Sequence, residues 1–270
     1  MLRAFKVRGA EPGQLTAGFV AFELDLMAAV MNQIIPTLDA MTSAPLTLPN
    51  ALDLPDAQGV YLLIHDGRIK YVGKTDAEAG LRTRLARHAR KFEQRRNVRP
   101  EDVFFRATQI LVLTAMDIES KVINHYRSEW NGSGIGSNDP GRERETTNKP
   151  DLGFDAQFPI NIDIALEILR PGTFSVHEAL ITLKEALPYT LRYEVQLPAG
   201  RTKGGSHDYR LNPHPDMVMA RLTVPDRPMT LTETMQLILR ALPEGWQATY
   251  FVSHIILYKE SRSYLHGTPI

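Results

Sequence analysis

Residues 59 to 75 constrain this chain most tightly. Two apolar runs flank Asp66-Gly67, the first opening Gly59-Val60-Tyr61 and the second closing Tyr71-Val72-Gly73-Lys74-Thr75. Asp-Gly supplies the positive φ that tight turns need, so the segment predicts a β-hairpin from local chemistry alone. A strict two-residue turn would set Tyr61 opposite Val72 and Tyr71 opposite Leu62, sending the tyrosines to opposite faces. A three-residue loop, His65-Asp66-Gly67, would instead pair Tyr61 with Tyr71, and a shared role for the tyrosines favours this register. Packing alone explains neither a tyrosine in each arm nor a lysine at the exit.

A helix is predicted to follow over Ala79 to Arg96, with Leu81, Leu85 and Phe92 on one stripe. His88 lies on that stripe and Arg84 one turn before it. A histidine on an apolar face is ordinarily a satisfied core residue, but a guanidinium beside it must find an anion or stay in water. Residues 67 to 99 carry eleven Lys or Arg against Asp76, Glu78 and Glu93, a local net charge of +8 in a chain whose formal charge is zero. Such a concentration suits a polyanion.

A third element, Ala115 to Trp130, reads as an amphipathic helix with Met116, Val122, Ile123, Tyr126 and Trp130 on one face. Glu119 falls on that face, where a carboxylate must be paired or hold a metal; an ion pair with a nearby arginine is the plain alternative. The glycine-rich run Asn131-Gly132-Ser133-Gly134-Ile135-Gly136 follows. It comes after a helix, whereas a dinucleotide fingerprint needs a preceding strand, which excludes that assignment.

In their order and spacing these residues resemble the GIY-YIG nuclease superfamily. Tyr61 stands in Gly-Val-Tyr and Tyr71 in Tyr-Val-Gly; Arg84 and His88 form Arg-x-x-x-His, Glu119 is the acidic residue and Asn131 follows twelve residues later. Within the superfamily the chain is most similar to the type II restriction endonucleases, through the stretch from Trp130 to Phe154-Asp155-Ala156. The resemblance covers about residues 15 to 165. It implies an α/β (α+β) fold, a small antiparallel or mixed central sheet flanked by helices. A C-terminal α+β domain is expected beyond it.

The resemblance also implies the chemistry. Glu119 would hold one Mg²⁺, with Mn²⁺ able to substitute, a hard ion that takes few carboxylates and can clamp the leaving oxygen. Arg84 suits the non-bridging phosphate oxygens through its planar fork of donors. A hairpin tyrosine would activate water, but with a free pKa of about 10 it needs help, from His88 or Lys74. Asn131 would orient a phosphate oxygen or its water. Lys74, Arg82, Arg87, Arg90, Lys91, Arg95, Arg142 and Arg144 are the expected DNA contacts.

The rest of the chain divides into an N-terminal arm and connector over 1–57, the nuclease domain over 58–165 and the C-terminal domain over 166–270. Phe19, Phe22, Leu26, Val30 and Ile34 predict an amphipathic helix over Ala17 to Ile35; Glu23 and Asp25 keep it from spanning a membrane. Thr42 to Ala57, with three prolines, reads as an irregular connector. Ala186-Leu187-Pro188 and Ala241-Leu242-Pro243 repeat at an offset of 55, each following a helical segment and leading into a strand. The chain has no cysteine, hence no disulfide or thiolate metal site, and no basic-then-apolar leader, so a cytoplasmic protein is expected.

Together these features predict an endonuclease of double-stranded DNA leaving 5′-phosphate and 3′-hydroxyl ends. Its first role is type II restriction, which for a palindromic site implies a homodimer. The alternatives are a mobile-element or phage-defence nicking nuclease targeted by its C-terminal domain, and a catalytically inactive DNA-binding module.

Overall fold

The computed structural model describes residues 15–16, 18–20, 25–75, 79–111, 118–132, 135, 153–196 and 210–270. Met116, Arg142, Arg144 and most of the glycine-rich loop lie outside the described residues, as does the basic stretch 201–207. The fold is mixed α/β with several small sheets. Among the described residues no helix is long and apolar enough to cross a membrane.

A two-residue ladder, β1 (Leu15–Thr16) with β2 (Phe19–Val20), precedes helix α1 (Leu26–Ala40). This helix starts later and ends later than the apolar spacing suggests. Asp25 caps it by accepting from the Ala28 amide at 2.9 Å, and the helix runs through Pro36.

The predicted irregular connector is in fact ordered. It supplies strand β3 (Ala44–Pro45) and helix α2 (Leu48–Leu52), with Leu46 fully buried between them. A proline fits an edge strand, and Pro49 in the first helical turn sacrifices no intrahelical bond.

Next come β4 (Gly59–His65), β5 (Arg68–Lys74), α3 (Leu81–Glu93), β6 (Val103–Gln109) and α4 (Ile118–Tyr126). The strands form one antiparallel sheet in the order β3-β6-β4-β5. Both faces are covered, which is why β4 reads as an unbroken apolar run. Val60 and Leu62 pack with Ile34 and Leu38 of α1 and Val122 of α4. Tyr61 and Leu63 point the other way, toward Leu81, Leu85 and Phe92 of α3. The third predicted helix is shorter than its pattern: Arg127 takes φ 50° just past α4. Trp130 thus leaves the α4 face and lies in a 3₁₀ turn, packed against Phe154 of α5 (Phe154–Gln157) at 5.2 Å.

The C-terminal elements form a second unit around a core of their own. Ile160 and Ile162 already belong to its core, and β7 (Ala165–Leu166) pairs with β11. The chain continues through β8 (Gly172–Ser175), α6 (Val176–Ala186), β9 (Thr190–Tyr193), α7 (Pro215–Met219), β10 (Arg221–Val224), β11 (Met229–Thr230), α8 (Leu231–Ala241), β12 (Trp246–Tyr250), β13 (His254–Lys259) and β14 (Thr268–Pro269). Its main sheet runs β14-β12-β13-β9, with β9 parallel to β13.

The repeat is structural. Ser175 with Glu178 and Thr230 with Glu233 form matching capping boxes 55 residues apart. Val176, Leu180 and Leu183 of α6 correspond at that offset to Leu231, Met235 and Ile238 of α8, all buried.

The two units are joined at the end of α3. The backbone amides of Arg96 and Asn161 bond to Pro159 and Gln94 carbonyls at 2.9 and 3.0 Å, and Ile160 in turn bonds Val252 and Tyr250 of the C-terminal unit.

Candidate active site

The hairpin adopts neither register considered from sequence. Asp66 (φ 50°) and Gly67 (φ 70°) form a two-residue turn with both central residues left-handed, as a type I′ turn requires. Pairing starts with His65 opposite Arg68 and Ile64 opposite Ile69, then shifts so that Leu63 faces Tyr71 and Tyr61 faces Gly73. Lys70 is the extra residue of a β-bulge, and one extra residue inverts the facing of everything beyond it. Tyr61 and Tyr71 therefore share a face on a diagonal, with ring centroids 6.0 Å apart. Gly73 is required by this arrangement, because a Cβ there would collide with the Tyr61 ring.

His88 closes the cluster from α3. Its Nε2 lies 2.8 Å from the Tyr61 hydroxyl, a hydrogen bond whose direction follows the imidazole tautomer, and its ring packs edge-on to Tyr71 at 5.5 Å. Burial drives the His88 pKa down to about 3, helped by the positive charges of Lys91, Arg84 and Arg87, so the ring is neutral at physiological pH. Burial likewise raises Tyr61 well above the usual phenol range, with Tyr71 adding to the effect. Tyr71 is raised too, again chiefly by burial. Neither hydroxyl ionises by itself near neutrality. The Glu119 charge raises both tyrosines and the Arg84 charge lowers both, which places the two ions at the same aromatic cluster.

Glu119 sits in the first turn of α4, its side chain 24% exposed, and its Oε2 is 3.3 Å from the ammonium of Lys74. The cation that meets it is thus a lysine at the hairpin exit, and Lys74 faces the carboxylate. Among the described residues no three His, Asp or Glu side chains gather as metal ligands. The donor set is one accessible carboxylate with phenolic oxygens nearby, hard ligands of the kind Mg²⁺ accepts when phosphate and water complete its shell. Asn131 grips the hairpin: its Oδ1 accepts from the Val72 amide at 2.8 Å and from Ser128 Oγ at 2.6 Å, and its Nδ2 donates to the Val72 carbonyl at 2.6 Å. Those bonds fix the outer strand beside Tyr71.

The basic helix divides into two populations. Arg82, Arg87 and Arg90 are exposed, Arg82 with its Nε anchored on the Leu54 carbonyl at 2.7 Å. Arg95, expected among the DNA contacts, is instead a structural ion: its side chain is 2% exposed, 3.1 Å from Asp155, bonded to the Phe158 carbonyl at 2.8 Å and stacked 4.8 Å from Phe154. It lies past the last turn of α3, where the chain bends to pair with Ile160. A guanidinium that deep must have a carboxylate partner.

A cleft of about 880 Å³ opens along α3. Arg84, Arg87, His88, Arg90 and Lys91 line one side, and the end of α6 with the turn into β9, Lys184 to Leu191, lines the other. Sequence reasoning placed no functional group in that second wall. The available signal was the internal repeat: at the 55-residue offset Lys184, Glu185 and Tyr189 correspond to Leu239, Arg240 and Glu244, whereas Ala186-Leu187-Pro188 is kept as Ala241-Leu242-Pro243, so the copies differ at those three positions of the cleft wall. In comparisons with known proteins, no family model and no curated protein matches the chain.

Proposed function

We propose that this protein is a Mg²⁺-dependent DNA endonuclease of the GIY-YIG type. The observation that carries the reading is the convergence of Tyr61, Tyr71 and His88 from a bulged hairpin and a basic helix, under the opposed charges of Glu119 and Arg84. Tyr71, the less buried tyrosine, would activate the attacking water. Tyr61 and neutral His88 form the hydrogen-bonded relay behind it, and Arg84 meets the phosphoryl oxygens. Glu119 would hold Mg²⁺, which when bound supplies charge neutralisation at the leaving oxygen. With Lys74 directed to Glu119, His88 is the better-placed relay partner, and Asn131 acts through the backbone of Val72. A DNA-binding module without catalysis has no use for a carboxylate beside two tyrosines.

Double-strand cleavage as a type II restriction enzyme, as a homodimer, is the role the family resemblance favours. Targeted nicking is the second reading, favoured by the cleft between α3 and the C-terminal unit. Incubation of supercoiled plasmid with protein and Mg²⁺ tests the proposal. Linear or nicked product that depends on the metal and is lost in Tyr71→Phe is expected; intact plasmid across a range of DNA sequences and structures would overturn it.

A further inference from the structure

We infer that the cleft along α3 is the seat of an unpaired DNA strand, so that the substrate carries a single-stranded arm next to the scissile phosphate. The inference rests on the nuclease reading in its targeted-nicking form and names its substrate class.

The cleft has two chemically different walls. On α3, Arg84, His88 and Lys91 recur at intervals of four and three, a stripe along one side of the helix that rises roughly 10 Å; Arg87 and Arg90 flank it, and Glu93 lines the far end. Opposite lies a nearly neutral lip: Ala186, Leu187, Pro188, Thr190 and Leu191. Lys184 at its edge donates to the Leu191 carbonyl at 2.8 Å, and Glu185 is paired with Arg210 at 2.6 Å. A single strand has matching halves, a charged phosphate edge and uncovered base faces. A duplex presents phosphates outward on both strands and hides its base faces, so it has nothing to offer the apolar lip.

Size points the same way. A volume of about 880 Å³ is that of a pocket for a drug-sized ligand, room for about two or three nucleotides. The cleft is also built rather than incidental. Its inner end is fixed by the Arg96–Pro159 and Asn161–Gln94 backbone bonds, and His88 at its opposite part touches both tyrosines.

The absence of cysteine from the chain allows a direct test. Ala186→Cys, at the exposed rim of the lip, takes a single photocrosslinker; Leu265→Cys, far out on the surface at 91% exposure, is the control. Both are irradiated without Mg²⁺ on a forked DNA and on a blunt duplex of the same sequence. The expected result is a crosslink from position 186 to the unpaired arm beside the junction, with little on the duplex and none from position 265. Ala186→Glu should weaken binding of the fork by about fivefold and Ala186→Lys strengthen it by a similar factor, with duplex binding unchanged. Crosslinking to the duplex as strong as to the fork, or DNA binding with no crosslink at position 186, overturns the inference while leaving the nuclease reading intact. Arm-specific crosslinking without Mg²⁺-dependent cleavage supports the cleft and overturns the nuclease instead. Failure to bind either DNA overturns both.

Discussion

The Tyr61 hydroxyl and His88 Nε2 lie 2.8 Å apart, joining the hairpin to the basic helix through a hydrogen bond whose direction follows the imidazole tautomer. The histidine's pKa near 3 lies below the unfolded value of about 6.5. The unfolded chain therefore binds the extra proton between those values. The contribution of His88 to stability is complete above pH 6.5 and falls as pH drops toward 3. Urea melts of wild type should lose about 2 kcal/mol between pH 6.5 and 5 from this group alone, and His88→Asn should lack that part of the slope. Equal slopes in both proteins would show that the histidine is not held neutral.

Gly73 lies under the Tyr61 ring. Gly73→Ala should push the ring away from His88, cost about 1–3 kcal/mol as overpacking does, and lower cleavage more than it lowers DNA binding. A melting curve and single-turnover kinetics on one preparation check this; unchanged values would mean the ring has another place to go.

How far the site could be read from sequence depends on the range of the interactions involved. The hairpin turn, the α3 stripe and both capping boxes are local chemistry, and Asp66-Gly67, Leu81, Leu85 and Phe92 announce them. The bulge at Lys70 has no such mark in the sequence, and it is the bulge, not a three-residue loop, that puts the tyrosines on one face. Arg95 differs from Arg90 only in depth, which the partner Asp155, 60 residues away, decides. Pro45 suggests an irregular segment, and tertiary packing instead seats it on a sheet edge. The cleft arises from two units meeting and has no sequence pattern of its own.

That difference in depth separates two arginines experimentally. Arg90→Glu should leave melting nearly unchanged, weaken binding to all DNA alike, and reduce the log-log salt slope by about 0.9 if one phosphate contact is lost. Asp155→Ala should strand Arg95 and destabilise the protein by roughly 3–5 kcal/mol. Chemical denaturation with salt-dependent binding distinguishes them; similar stabilities for the two variants would contradict the buried pair.

The most direct test of the account is single-turnover cleavage by Glu119→Gln, with melting measured on the same sample. Lys74, the partner of Glu119, is half exposed, so removing the charge should change stability by no more than about 1 kcal/mol. DNA binding should be retained. Mg²⁺-dependent cleavage should fall by at least about a hundredfold, the scale of losing a main electrostatic contributor. A folded Glu119→Gln protein that cuts DNA at a near-normal rate would contradict the metal role of Glu119 and the mechanism built on it.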